Sequence, residues 1–198
     1  MRTTSPDRRP DCILGFSGTN DGRYLLPLHI TQRDPDHQRG TNAKVLSYLL
    51  QPENKHYMCM THENGERQPT CEFLKILVSQ KPDIRVLLDV GAQMLDLRNY
   101  ELAKAWLAIS ANTSAAIYFD EDDELTVLTR DGNTQLLLSS PFAQQLDQCI
   151  IYLDDAHTRG TDIKFPSGFR AAVTLGPKVT KDRLTQGTFN CYHFNLRI

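Results

Sequence analysis

The sequence predicts a mainly parallel, three-layer α/β domain from about residue 70 onward. Three observations lead there. Short, β-branched apolar runs recur at Ile84–Val90, Ala115–Phe119, Cys149–Leu153 and Ala171–Leu175, each the length of a buried strand. Segments with helical spacing of apolar residues lie between or before several of them, and that alternation favours parallel strands joined by helical crossovers. Polar and glycine residues gather where the runs end, which is where open parallel sheets bind ligands.

Taken in order, residues 1–11 read as a disordered leader, and residues 12–69 as a strand, a linker and a helical connector. Cys12–Phe16 is a short apolar run that ends in the small-residue turn Ser17–Gly22. A second short strand over 24–30 is weakened by Pro27. Arg33–Gly40 is a charged connector. A helix is expected from Ala43 to Leu50, capped by Thr41 or Asn42, with Val45, Leu46, Leu49 and Leu50 as its apolar stripe and Pro52 beyond it. Gln51–Pro69 is polar and reads as a loop.

Residues 70–187 carry the α/β pattern. Thr70 is placed to cap a helix that gathers Phe73, Leu74, Leu77 and Val78 on one face and stops at Lys81-Pro82. Ile84–Val90 is the strongest core strand and ends at Gly91. A helix from Asn99 aligns Leu102, Trp106 and Ile109. Ala115–Phe119 is a strand followed by the acidic run Asp120–Glu124. Leu125–Leu128 and Leu136–Leu138 flank Asp131-Gly132, a hairpin signal. Phe142–Leu146 reads as a helical turn or two, and Cys149–Leu153 is the central strand. Residues 188–198 form a divergent tail.

Composition narrows the function classes. The chain has 198 residues, 40% hydrophobic and 23% charged, as a globular protein does. A formal net charge of −2 gives no strong nucleic-acid signal. No run reaches the ~18 apolar residues of a membrane span, and the Met1 end does not resemble a signal peptide. Five irregularly spaced cysteines suit reduced thiols, hence a cytoplasmic or nuclear setting.

The chemistry-bearing stretch is Cys149–Thr174. Its strand runs into Asp154-Asp155-Ala156-His157, so carboxylates and an imidazole arrive together at a strand end. Thr158–Asp162 then forms a polar loop in which Gly160 lets backbone approach a ligand. The Leu153–His157 string looks like the acid box that helps an NTPase hold Mg²⁺. Its counterpart, a glycine-rich loop with Gly-Lys-Ser/Thr, is missing, and the Gly15–Gly22 turn has no lysine. The chain alone is therefore not expected to hydrolyse nucleotide, and no cofactor is expected. His56, Cys59, His62 and Cys71 are loosely spaced as zinc ligands but lack paired CxxC knuckles, so no metal site is assigned. For thiol chemistry, Cys149 lies too far along its strand from His157. Cys71 follows Thr70 at a helix start, where backbone amides favour a thiolate. The candidate catalytic set is thus Cys71 and His157, with Asp154 and Asp155 to orient the imidazole or hold it protonated.

Several strings carry a resemblance: Leu14–Thr19, Val86–Gln93, Ser139–Phe142, Leu153–Asp162, Ala171–Gly176 and Thr180–Leu184. Across residues 12–186 the chain resembles a family of large, mainly fungal ubiquitinyl hydrolases. That resemblance implies thiol-dependent removal of ubiquitin from conjugates, and ubiquitin or ubiquitinated proteins as partners; it supplies no particular nucleophile. The same strings resemble the second RecA-like lobe of superfamily II helicase-like ATPases, including the preprotein translocase. There an Arg-Gly-Thr-Asp loop contacts nucleotide across an interlobe cleft, which implies nucleotide-facing roles for Arg159, Gly160, Thr161 and Asp162, and a missing ATPase lobe as partner. After Gln186 or Gly187 the sequence departs from both patterns, so the expected fold is a RecA-like sheet incomplete at its C-terminus, from a truncated or genuinely short product. A protein-interaction module is the third function class.

Overall fold

The computed structural model describes residues 41–54, 57–62, 64–161, 163–166, 168–177, 179–188 and 195–197, the side chains at 41–43, 53, 182 and 195–197 excepted. The expectations for the leader, the Cys12–Phe16 strand and its turn, residues 24–30 and Arg33–Gly40 lie outside the described residues, as do His56 and Asp162.

The elements follow in the order α1 (Thr41–Leu49), α2 (Thr70–Ser79), β1 (Ile84–Leu88), α3 (Asn99–Ile109), β2 (Ala115–Phe119), β3 (Leu125–Thr129), β4 (Thr134–Leu136), β5 (Cys149–Leu153), β6 (Arg170–Val173), α4 (Lys181–Gly187) and β7 (Asn195–Arg197). They build one seven-stranded sheet in the order β4-β3-β2-β5-β1-β6-β7. The pairs β2–β5, β5–β1, β1–β6 and β6–β7 are parallel, while β3 and β4 add an antiparallel edge. The fold is therefore α/β with a mostly parallel mixed sheet.

The apolar runs are continuous because each central strand is buried on both faces. In β5, Cys149, Ile151 and Leu153 enter one core, and Ile150 and Tyr152 the other. In β2, Ala115 and Ile117 oppose Ala116 and Tyr118 in the same way, and in β6 Ala171 and Val173 oppose Ala172. The first core takes Val45 and Leu49 of α1 and Leu184 of α4; the second takes Phe73, Leu74 and Leu77 of α2 and Leu102 and Trp106 of α3. Three layers result, with a helical layer on each face.

Several expectations shift. The helical connector before residue 70 is part of the same core through Val45 and Leu49, and the tail contributes β7 to the sheet. Thr70 does not cap α2: Pro69 holds the cap position, and the Thr70 hydroxyl and amide both donate to Asp96. The strand expected to reach Val90 stops at Leu88, because Asp89 turns into a hydrogen-bond network described below. The hairpin forms, with Gly132 at φ +83°, but its second strand is Thr134–Leu136, and Leu137–Ser139 is already a 3-10 turn. Phe142–Leu146 spans two further 3-10 turns, Pro141–Gln144 and Leu146–Gln148. Ile109, expected on the apolar face of α3, is 37% exposed.

Candidate functional site

The site is built on the carboxyl edge of the sheet. The chain leaves β1 through α3 towards β2 on one side, and leaves β6 through α4 towards β7 on the other. Divergence of this kind opens a crevice above the strand ends. Between β1 and β6 the crevice is closed by packing. Asp89, 3% exposed, accepts hydrogen bonds from the Thr174 hydroxyl at 2.5 Å and from the amides of Gln93 at 2.7 Å and Met94 at 2.9 Å. Thr174 Oγ1 in turn accepts from the Gly91 amide. Gly91 and Gly176 let the two loops touch backbone to backbone; a Cβ on Gly91 would lie 2.5 Å from the Leu175 carbonyl carbon.

One strand further, beyond β5, stands the acid box. Asp154 Oδ1 lies 2.7 Å from His157 Nδ1 and accepts the His157 amide at 3.0 Å. Its other oxygen accepts from Asn99 Nδ2, whose amide group also donates to the Phe119 carbonyl. The imidazole stacks on Phe119 with ring centroids 3.8 Å apart, 6° from parallel. Its Nε2 faces Asp123 Oδ1 at 3.2 Å. Asp155 pairs with Arg183 of α4, tying the box to the next helix. The sequence-predicted group of Asp154, Asp155 and His157 is thus brought together, but Asp155 serves Arg183 rather than the imidazole.

The pairing of Cys71 with His157 does not form. Both ring nitrogens are directed at carboxylates and one ring face is covered by Phe119, which leaves no imidazole nitrogen for a thiol. Cys71 is a free, exposed thiol on the first turn of α2. Cys149 is fully buried, 3.6 Å from the Gln145 carbonyl; burial, with Asp147 nearby, pushes its thiol up to about 12. Cys59, His62 and Cys71 do not converge, and among the described residues no three His, Cys, Asp or Glu side chains are grouped to hold a metal.

The loop that follows is anchored at its start and open at its tip. Thr158 is buried; its hydroxyl donates to the Asp155 carbonyl, and Gly187 of α4 packs against it. The Thr161 hydroxyl donates to the His157 carbonyl at 2.5 Å. Between these anchors Arg159 and Gly160 are exposed, and Gly160 adopts φ +86° with open space around its Cα. Arg159 has no hydrogen bond or ion pair among the described residues, although Asp154, Asp155 and Asp123 all lie on neighbouring segments and are engaged elsewhere. A loop anchored at both ends that carries an exposed guanidinium beyond a parallel strand suits contact with an anion.

Sequence reasoning did not identify Asn99, Phe119 and Asp123 as partners of His157, or Asp89 and Thr174 as the closure of the neighbouring crevice. The signals were present but separate: an acidic run after β2, a polar residue opening α3, and an Asp at the end of the best strand. No protein-family model matches this chain, and no match to it is found among curated proteins or solved structures.

Proposed function

We propose that this chain is a RecA-like lobe of a ubiquitinyl-hydrolase-type protein that presents the Arg159–Asp162 loop to a phosphate group held by a second lobe, without performing thiol chemistry itself. The observation that carries the reading is the exposed Arg159, without an ion pair among the described residues, on a loop anchored by Thr158 and Thr161 at the carboxyl end of β5. The string resemblance points the same way, and so does the lack of a Gly-Lys-Ser/Thr loop, which leaves the phosphate cradle to another surface. In this role the acid box is scaffolding: Asp154 and His157 fix the strand end, and Asp155 fixes α4 through Arg183.

The test is a titration of the ¹⁵N-labelled chain with Mg-ATP. Shifts are expected at Arg159–Thr161, with a dissociation constant in the millimolar range, about 4 kcal/mol of binding. Arg159→Ala should weaken binding about fivefold, the ~1 kcal/mol of a close charge pair in water, with unchanged melting temperature. No response at this loop, or equal binding by the variant, would refute the reading. A ubiquitin-based electrophilic probe should leave Cys71 unlabelled; labelling that His157→Ala abolishes would restore the thiol mechanism.

A further inference from the structure

On the sheet face that carries α2 and α3, the described residues enclose a groove of about 740 Å³. Its lining includes Ala172 of β6, Ile76 and Leu77 of α2, and Met58 and Met60 of the segment that precedes α2. Its size falls within the roughly 300–1,000 Å³ of small-molecule sites, which are mostly apolar with a few polar groups that fix orientation. Among the described lining residues Arg67 alone carries a charge.

Arg67 is half-buried, and among the described residues its guanidinium makes no hydrogen bond or ion pair. Nη2 is closed off from water and has no acceptor. Asp96, whose carboxyl feels the Arg67 charge, spends its two oxygens on the Thr70 amide and hydroxyl. Burial pushes the Asp96 carboxyl up, but those Thr70 hydrogen bonds, with a smaller contribution from the Arg67 charge, bring it below the usual carboxylate value. Glu66, beside Arg67 in sequence, accepts from the Asn64 side chain instead. A partly buried guanidinium donor without an acceptor is unfavourable and is relieved by an acceptor brought from outside.

We propose that this groove binds an apolar carboxylate, with its chain along the methionine and isoleucine walls and its carboxylate on Arg67. A single negative charge fits better than a dianion. The desolvation cost rises with charge, and the ionised Asp96 stands close enough to oppose a second charge. The planar fork of Arg matches a carboxylate. The site is separate from the Arg159 loop and stands or falls independently of the function proposed above.

Cys59 supplies the reporter, because it lines the groove and is exposed, whereas Cys71 is exposed but does not line it. The full chain is alkylated with iodoacetamide in the presence of dodecanoate below its micelle concentration or dodecanol below its solubility limit, and each cysteine is followed by peptide mass spectrometry. Dodecanoate should slow Cys59 alkylation at about tenfold lower concentration than dodecanol, the margin of one charge-assisted hydrogen bond, with Cys71 unaffected. Arg67→Gln should remove the tenfold difference and leave the dodecanol effect. Equal protection by the two ligands in the native chain, parallel slowing of Cys71, or no protection at Cys59 would each overturn the proposal, and none of these outcomes depends on the variant folding.

Discussion

Replacement of Asp89 by alanine should be among the most damaging single changes to this fold, although Asp89 touches no exposed surface of the site. Its carboxylate, 3% exposed, is the shared acceptor for Thr174 Oγ1, Gln93 N and Met94 N, at 2.5, 2.7 and 2.9 Å. The first donor belongs to the end of β6 and the other two to the turn after β1, so one side chain joins the two strand ends. Hydrogen bonds to a charged group contribute about 1.5–3 kcal/mol each, and a buried donor left without a partner costs about 1–3. The three share one acceptor and cannot be summed independently. A loss of about 3–5 kcal/mol is expected, comparable to breaking a buried ion pair. For a chain of this length that lowers the melting temperature by about 6–20 °C. Thermal and urea unfolding, followed by far-UV circular dichroism, would measure it. Thr174→Val removes one of the three donors and should cost about 1–2 kcal/mol, with the double variant well short of the sum. If Asp89→Ala lost less than about 1 kcal/mol, the network would not be holding the two loops, and the account of the closed crevice would fail.

Three further outcomes follow from the same geometry. Gly91→Ala places a Cβ 2.5 Å from the Leu175 carbonyl carbon and 2.6 Å from the Gly176 amide nitrogen, so urea unfolding should show a loss of about 1–3 kcal/mol from overpacking. Under native conditions iodoacetamide should modify exposed Cys59 and Cys71 and spare Cys149, whose thiol burial pushes up to about 12; native labelling of Cys149 would contradict its place in the core. The Asp120 carboxyl is pushed up by burial, but the Glu124 amide, the Thr126 hydroxyl and the Asp122 amide hold it below the usual carboxylate value. Its contribution is therefore present above the unfolded value of about pH 4 and is lost as pH falls through the lower folded one, so Asp120→Asn should flatten the acid limb of a stability–pH curve.

The parts of this architecture that were legible in the sequence are those fixed by local periodicity and burial. Cys149–Leu153 lies between two other parallel strands, so each of its residues is buried and the run had to be apolar throughout. Asp131-Gly132 announced its hairpin because a left-handed residue is needed there, and Gly132 supplies φ +83°. What escaped the sequence depends on contacts between distant segments. Thr70 has the composition of a cap, yet Asp96, brought in by the loop after β1, draws its hydroxyl away from the helix end. Asp89 continued an apolar run and read as the tail of a strand, because the donors that turn it lie partly on β6. His157 read as a catalytic imidazole oriented or held protonated by Asp154 and Asp155; Asp123 reaches it only because β2 lies next to β5 and the turn after β2 rises above the same edge.

The polar groups at this edge divide by whether their bonding capacity is already spent. Asp154 takes the His157 ring, the His157 amide and Asn99; Asp155 takes Arg183; His157 has a carboxylate at each nitrogen. A general base or a metal ligand needs a lone pair directed at the reacting partner, and at Asp154 and His157 these partners already occupy those positions. Arg159, by contrast, is exposed and has no hydrogen bond or ion pair among the described residues. Exposure also limits what Arg159 does alone, since a charge pair at about 4 Å is worth ~1 kcal/mol in water and roughly 4 kcal/mol at the effective dielectric of a partly covered surface. Under the proposed reading, a phosphate contact by this side chain would be weak on the exposed loop and stronger once a second surface covers it. In that reading the hydrogen bonds from Thr158 to the Asp155 carbonyl and from Thr161 to the His157 carbonyl pre-set the loop, which would lower the cost of ordering it on binding.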